Sequence, residues 1–227
     1  MKPFNALLAV AFFTAVVAAT PARAITDQEE LVETARFTVE KLISHAELGG
    51  AVRTMLKDAK GVLVIPSLLK GAFFFGAEGG SGVLMARGES GKWSYPAFYT
   101  IGSASFGLQI GGQSAEVMLV LMTNKGLNAV LNHKVKLGGD ISAAIGPYGM
   151  GAEASTTSNL GADILSYSVN KGAFAGFSFE GAVIYPRDEW TTGYYGDKNA
   201  TPRAVVVDGQ YRNAQAEKLR SALAAAR

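Results

Sequence analysis

Between Gly61 and Gly151 glycines, aromatics and a few charges recur without helical spacing. The segment opens with Gly61-Val62-Leu63-Val64-Ile65-Pro66 and Lys70-Gly71-Ala72-Phe73-Phe74-Phe75-Gly76. Glu78-Gly79-Gly80-Ser81-Gly82, Trp93-Ser94-Tyr95-Pro96 and Phe106-Gly107-Leu108-Gln109-Ile110-Gly111-Gly112 follow. It closes with Leu137-Gly138-Gly139-Asp140 and Gly146-Pro147-Tyr148-Gly149. Glycine at this density weakens helices and marks strands that carry bulges, tight corners or close backbone approaches.

Period-two or continuous apolar runs predict strands at Val62–Ile65, Ala72–Ala77, Gly82–Arg87, Ala97–Ile110, Val117–Met122, Ile141–Glu153, Ile164–Val169 and Ala173–Val183. Pro66 is expected to end the first of them, and Gly76 to Gly82 reads as a hairpin or bulge. Helical spacing returns at the ends. Leu31, Val32, Ala35, Val39, Leu42 and Ile43 place an amphipathic helix over Asp27–His45, which Thr26 or Asp27 could cap. Shorter helices are expected at Ala51–Ala59 and Asn124–Leu131, and an Ala-rich one at Gln210–Ala225. The fold class is α+β: a strongly curved antiparallel sheet or barrel-like roll, flanked by N-terminal and C-terminal helices.

Residues 1–24 read as a signal peptide. Lys2 precedes an apolar stretch from Phe4 to Ala19, and Ala22-Arg23-Ala24 is an Ala-x-Ala cleavage signal. An uncleaved N-terminal anchor is the alternative, although the stretch is short for a span of about 20 residues. Residues 25–227 are then one domain, uninterrupted by a linker or charge block. The chain has 21 Lys and Arg against 19 Asp and Glu, so loss of Lys2 and Arg23 leaves it formally neutral. Nothing in this balance points to nucleic acid. With no cysteine in the chain, disulfides, thiolate metal sites and a lipidated N-terminal cysteine are excluded.

Catalytic constellations are missing from the pattern. His45 and His133 are the only histidines and neither sits in a metal-ligand motif. Ser81 and Ser178 both fail the Gly-x-Ser-x-Gly pattern at its last position. Gly91-Lys92 is followed by Trp93 where a phosphate loop needs Ser or Thr. Glu78, Glu116, Asp140, Glu153, Asp163 and Glu180 are not brought to any defined separation by the sequence, as paired-carboxylate hydrolysis would require. The expectation is therefore no enzyme, no metal and no cofactor.

The basic residues say more. Lys70, Arg87, Lys92, Lys125, Lys134, Lys136 and Lys171 fall mainly at strand ends and turns. Several flank aromatics: Phe73, Phe74 and Phe75 follow Lys70, and Trp93 follows Lys92. Cations beside insertable apolar groups suit an anionic lipid surface, where each adds roughly 1 kcal/mol. Lysines at strand ends also serve simply to blunt sheet edges.

The glycine–aromatic blocks above, continued by Tyr167-Ser168, Lys171-Gly172, Ala175-Gly176, Glu180-Gly181 and Tyr194-Tyr195-Gly196, occur in an order that resembles the SYLF-domain family of lipid-binding proteins. The resemblance covers nearly all of residues 25–227. It implies phospholipid binding, with Lys70-Gly71-Ala72-Phe73 matching the family's basic–aromatic segment and Lys171 its late block. It also implies that actin, bound by some eukaryotic members, is not a partner of an exported bacterial member. One departure is visible: Asp27, Glu29, Glu30, Glu33 and Glu40 outnumber Arg36 and Lys41 on the first helix. That face is acidic where phosphoinositide-binding members carry cations, so packing on the β core suits it better.

Together these features predict an exported, non-enzymatic protein, periplasmic or peripherally bound to an envelope membrane. It would contact anionic phospholipid through Lys70, Phe73, Phe74, Arg87, Lys92 and Lys171. The alternative is a structural or protein-interaction module of the envelope, using aromatics such as Tyr99, Trp190, Tyr194 and Tyr195.

Overall fold

The structure, a computed structural model, describes residues 24–72, 75–106, 111–132, 134–146, 161–171 and 181–226, with the backbone alone at 71, 72, 75, 76, 104–106, 111–113, 170 and 171. Helix α1 (Asp27–Ser44) starts in a capping box: the Thr26 hydroxyl accepts from the Glu29 backbone N–H while the Glu29 carboxylate accepts from that of Thr26. Its apolar stripe, Val32, Ala35, Val39 and Leu42, is buried. The helix ends one residue early. His45 is its C-cap, and the imidazole Nδ1 accepts from the Glu47 and Leu48 N–H groups. Gly49 and Gly50 open α2 (Gly49–Asp58) instead of forming a loop. A Cβ on Gly49 would collide with the Ile43 carbonyl oxygen, so glycine lets the two helices meet closely.

The next four strands are long: β1 (Gly61–Ala72), β2 (Phe75–Ala86), β3 (Ala97–Phe106) and β4 (Gly111–Leu121). Helix α3 (Asn124–Asn132), short strands β5 (Val135–Lys136) and β6 (Ala143–Ile145), then β7 (Ile164–Lys171) and β8 (Val183–Pro186) follow. The sheet is strongly curved and ordered β5-β8-β3-β2-β1-β4-β7-β6. Every described pairing between strands is antiparallel except the parallel β6–β7 contact. Helices α4 (Asp188–Tyr195), α5 (Pro202–Val206) and α6 (Glu217–Ala224) complete the order.

Side chains alternating along the strands feed two cores. Val62, Val64, Val83, Met85, Met118 and Val120 face α1, α2 and α6. Leu63, Ile65, Leu84, Val117, Leu119 and Leu121 face the opposite side, against Val130 of α3 and Val205 of α5. Burial on both faces explains why these strands read as continuous apolar runs.

Several expectations are corrected. Pro66 does not end β1. The register against β4 shifts between Ile65 and Leu68, so Pro66 sits in a bulge where a missing N–H costs no ladder bond. Gly79 to Gly82 do not form a turn; β2 runs straight through them, and the bulge belongs to the facing strand. The C-terminal helix is shorter than its composition suggests. Asn213 caps a 3-10 turn at Ala214–Ala216, its side chain accepting from the Gln215 N–H, and α6 begins only at Glu217. Residues 1–23, most of the Ile141–Glu153 run, most of the Ala173–Val183 run and His133 lie outside the described residues. No described helix is long and apolar enough to cross a membrane.

Candidate functional site

The expected basic residues fall into two groups at opposite ends of the sheet. Lys70 lies in the second half of β1, opposite Glu78 of β2 and Gln113 of β4. Burial pushes the Glu78 carboxyl upward in pKa, and the Lys70 charge opposes it. Lys171 ends β7 opposite Ser114 of β4, which itself faces Leu69 of β1. Leu69, Ser114 and Lys171 therefore form one cross-strand row, and Lys70 stands two strand positions and one residue from Lys171. Phe73 and Phe74 lie outside the described residues, as does the side chain of Lys171.

Arg87 and Lys92 are elsewhere. Arg87 follows the far end of β2, eight residues beyond Glu78 plus one, roughly 30 Å away at about 3.3 Å per residue. Its guanidinium donates to the carbonyls of Leu56 (3.4 Å), Lys57 and Gly91 (3.3 Å). It thus closes the C-terminal end of α2, where carbonyls lack helical partners. Lys92 is exposed after the turn at 88–91, and its carbonyl accepts from the Gly88 N–H at 2.9 Å.

A feature that the sequence did not single out adjoins the Lys171 row. A groove of about 660 Å³ runs between α1, the second half of β1 and the first half of β2. Leu31, Phe37, Pro66 and Leu69 supply its apolar walls, and Gly79 and Gly80 pave its floor. Phe37 is 54% exposed and Leu69 60%, a large amount of uncovered apolar surface in one place. Three ion pairs stand in and beside it. Lys41 Nζ lies 2.9 Å from Glu116 Oε1, and Arg36 bonds Glu33 (2.6 Å) and Glu40 (2.7 Å) while its guanidinium stacks 3.9 Å from the Phe37 ring centre. The acidic face of α1 is thereby partly neutralised from within. The sequence signal for the groove was present in Leu69, in Gly79-Gly80 and in Phe37, an aromatic on the polar side of an amphipathic helix.

Asp163 is the most perturbed carboxylate. Its burial works to raise the pKa, but hydrogen bonds from Thr123 Oγ1 (2.6 Å), Ser142 Oγ (2.7 Å) and Lys125 Nζ (3.2 Å) outweigh it and hold the group at about 2. All of these donors tie α3, the segment before β6 and β7 together, so the group is a clasp and not a general acid or base. Among the described residues no cluster of His, Asp or Glu is arranged to hold a metal ion.

Residues 102–226 match the sequence profile of the Ysc84 family, described as Las17-binding protein actin regulator. The chain belongs to the Ysc84 (SYLF) family. Ysc84-family relatives include LAS seventeen-binding protein 3 of Saccharomyces cerevisiae, 35% identical over 161 residues, covering 70% of this chain and 34% of the relative. Protein YSC84 of the same yeast is 34% identical over 155 residues, with 67% and 33% coverage. SH3 domain-containing YSC84-like protein 1 of Xenopus laevis is 28% identical over 166 residues, with 73% and 49% coverage. The chain spans about a third of the length of the yeast relatives it matches and half of the frog one. The family description and the name of LAS seventeen-binding protein 3 mention binding, and none of these names is that of an enzyme.

Proposed function

We propose that this protein is a non-enzymatic phospholipid-binding protein of the bacterial envelope, and that the β1–β2 hairpin end of its sheet meets anionic headgroups. One observation carries the reading: Lys70 and Lys171, the two cations in the family's basic blocks, occupy the same sheet end on strands separated only by β4, beside the exposed Leu69. Leu69 lines the groove on the α1 side, and strand alternation puts Lys70 on the opposite face. A membrane approached end-on by the hairpin would meet Lys70 and the end of β7 that carries Lys171, with an apolar side chain in the row of Lys171. Arg87 is already engaged with α2 and has no part in this contact; Lys92 is too distant to share it. The N-terminal Ala-x-Ala pattern supports export, which would place the protein in the periplasm or on an envelope membrane.

The test is sedimentation of the purified protein with phosphatidylcholine vesicles and with vesicles containing phosphatidylglycerol, at low and high salt. Binding confined to the anionic vesicles and weakened by salt is the expected result. Binding to neither kind would remove the lipid reading and favour a protein partner in the envelope.

A further inference from the structure

We infer that the groove beneath α1 takes up one acyl chain of a phospholipid, so that the protein grips an individual lipid as well as a surface. This deepens the lipid reading and rests on it for the chemical class of the occupant.

The glycines of β2 and β3 make the case, because they are of two kinds. A Cβ on Gly80 would stand 2.5 Å from the Ser67 carbonyl oxygen, and one on Gly82 would stand 2.6 Å from that of Val64. Both must be glycine for β1 and β2 to pack. Gly79 and Gly102 face each other across β2 and β3 and meet no such crowding; the nearest atoms to their Cβ positions are carbonyl oxygens 3.7 Å away. The protein's own packing gives no reason for a missing side chain there. What Gly79 does is leave the groove floor open. Glycine inside a strand marks a place where something approaches the backbone closely, and among the described residues nothing fills the space.

The groove's shape and chemistry select the occupant. Its volume, about 660 Å³, lies in the range of small-molecule sites. Its helical wall runs along one flank of α1 from Leu31 through Thr34 and Thr38 to Lys41, about 15 Å at 1.5 Å per residue. That length accommodates an extended linear chain. Lys41 and Glu116 within it are already paired, and the exposed Glu30 carboxylate on its rim disfavours an anion inside it, while Phe37 and Leu69 offer apolar surface. At its mouth the backbone register puts Leu69 in one cross-strand row with Ser114 and Lys171.

The probe is dihexanoyl phosphatidylglycerol below its micellar concentration, compared by calorimetry with glycerophosphoglycerol, the same headgroup without chains. The full-length protein should bind the acylated probe roughly tenfold or more tightly than the bare headgroup. Gly79→Leu, which fills the floor, and Thr34→Trp, which closes the groove from α1, should each weaken the acylated probe by about the same factor. Gly79→Ala should not. Two variants on different elements keep the test open should one fail to fold. Unaltered binding by the folded variants, or equal affinity for both probes, would overturn the inference. Vesicle sedimentation separates it from the surface reading. Loss of anionic-vesicle binding with short-chain lipid still bound refutes only the surface contact; retained vesicle binding with no preference for the acylated probe refutes only the groove.

Discussion

The Ser67 carbonyl of β1 lies directly over the Cα of Gly80 in β2, so close that a Cβ there would stand 2.5 Å from the oxygen. The bulge that absorbs Pro66 forces this approach, because the extra residue bends β1 towards its neighbour. Gly80→Ala should therefore destabilise the protein by about 1–3 kcal/mol, as an over-packed core does. Gly79→Ala, one residue away and uncrowded, should be neutral or stabilise it by about 0.5 kcal/mol through the unfolded chain. Urea unfolding of the two variants measures the contrast, and equal midpoints would refute it.

Asp163 sets a pH dependence. Its folded pKa of about 2 lies below the ordinary carboxylate value of 3.8. A depressed pKa means that the folded state favours the ionised form. Its contribution is complete above about pH 4 and disappears as pH falls through 2, and is worth about 2 kcal/mol. Asp163→Asn should lower stability by about that amount at pH 7, and the gap to the wild type should narrow steadily between pH 4 and pH 2. A gap independent of pH would show that the clasp does not depend on charge.

Arg87 separates stability from binding. Removing a cation from the C-terminal end of α2 should cost about 1 kcal/mol. Arg87→Ala should lower the melting temperature by a few degrees and leave vesicle sedimentation unchanged, since its guanidinium serves the Leu56 and Lys57 carbonyls far from the hairpin end. Weakened sedimentation by a stably folded Arg87→Ala would place it back in the contact.

Much of the architecture could be read from the sequence wherever a single local signal decided it. The stripe on α1, with Thr26 and Glu29 spaced as a capping box, announces a helix that tertiary packing then confirms. Four features were not legible, each because a distant residue decides it. Pro66 reads as a strand end until β4 is seen to accept a bulge there. Gly79 to Gly82 read as a turn because the demand for glycine comes from β1, across the sheet. The short helices α4 and α5 carry weak patterns of their own; α4 is held by its rings, Trp190 and Tyr194 packing edge-on against Phe98 at 6.0 and 5.1 Å. For the candidate site, basic residues next to aromatics in sequence gave no sense of which end of the sheet each would occupy. Lys92 shares that local signature with Lys70, yet strand direction carries it to the far end. The groove was hidden for a related reason, since Phe37 and Leu69 are thirty-two residues apart and line one groove only when α1 lies across β1.

Charge reversal at the two ends of the sheet offers the sharpest test of where a membrane would be met. Lys70→Glu and Lys171→Glu each replace a cation at the hairpin end with an anion, whereas Lys92→Glu makes the same change in charge at the opposite end. If contact is end-on, each hairpin-end variant should lower the partition coefficient onto vesicles containing phosphatidylglycerol by roughly tenfold at low salt, a loss of about 1 kcal/mol for the cation plus repulsion of the new anion. The double variant should lose more, and all three deficits should shrink as salt rises. Lys92→Glu should behave like the wild type. Equal losses from all three single variants would instead mean that net charge, and not the hairpin end, governs adsorption.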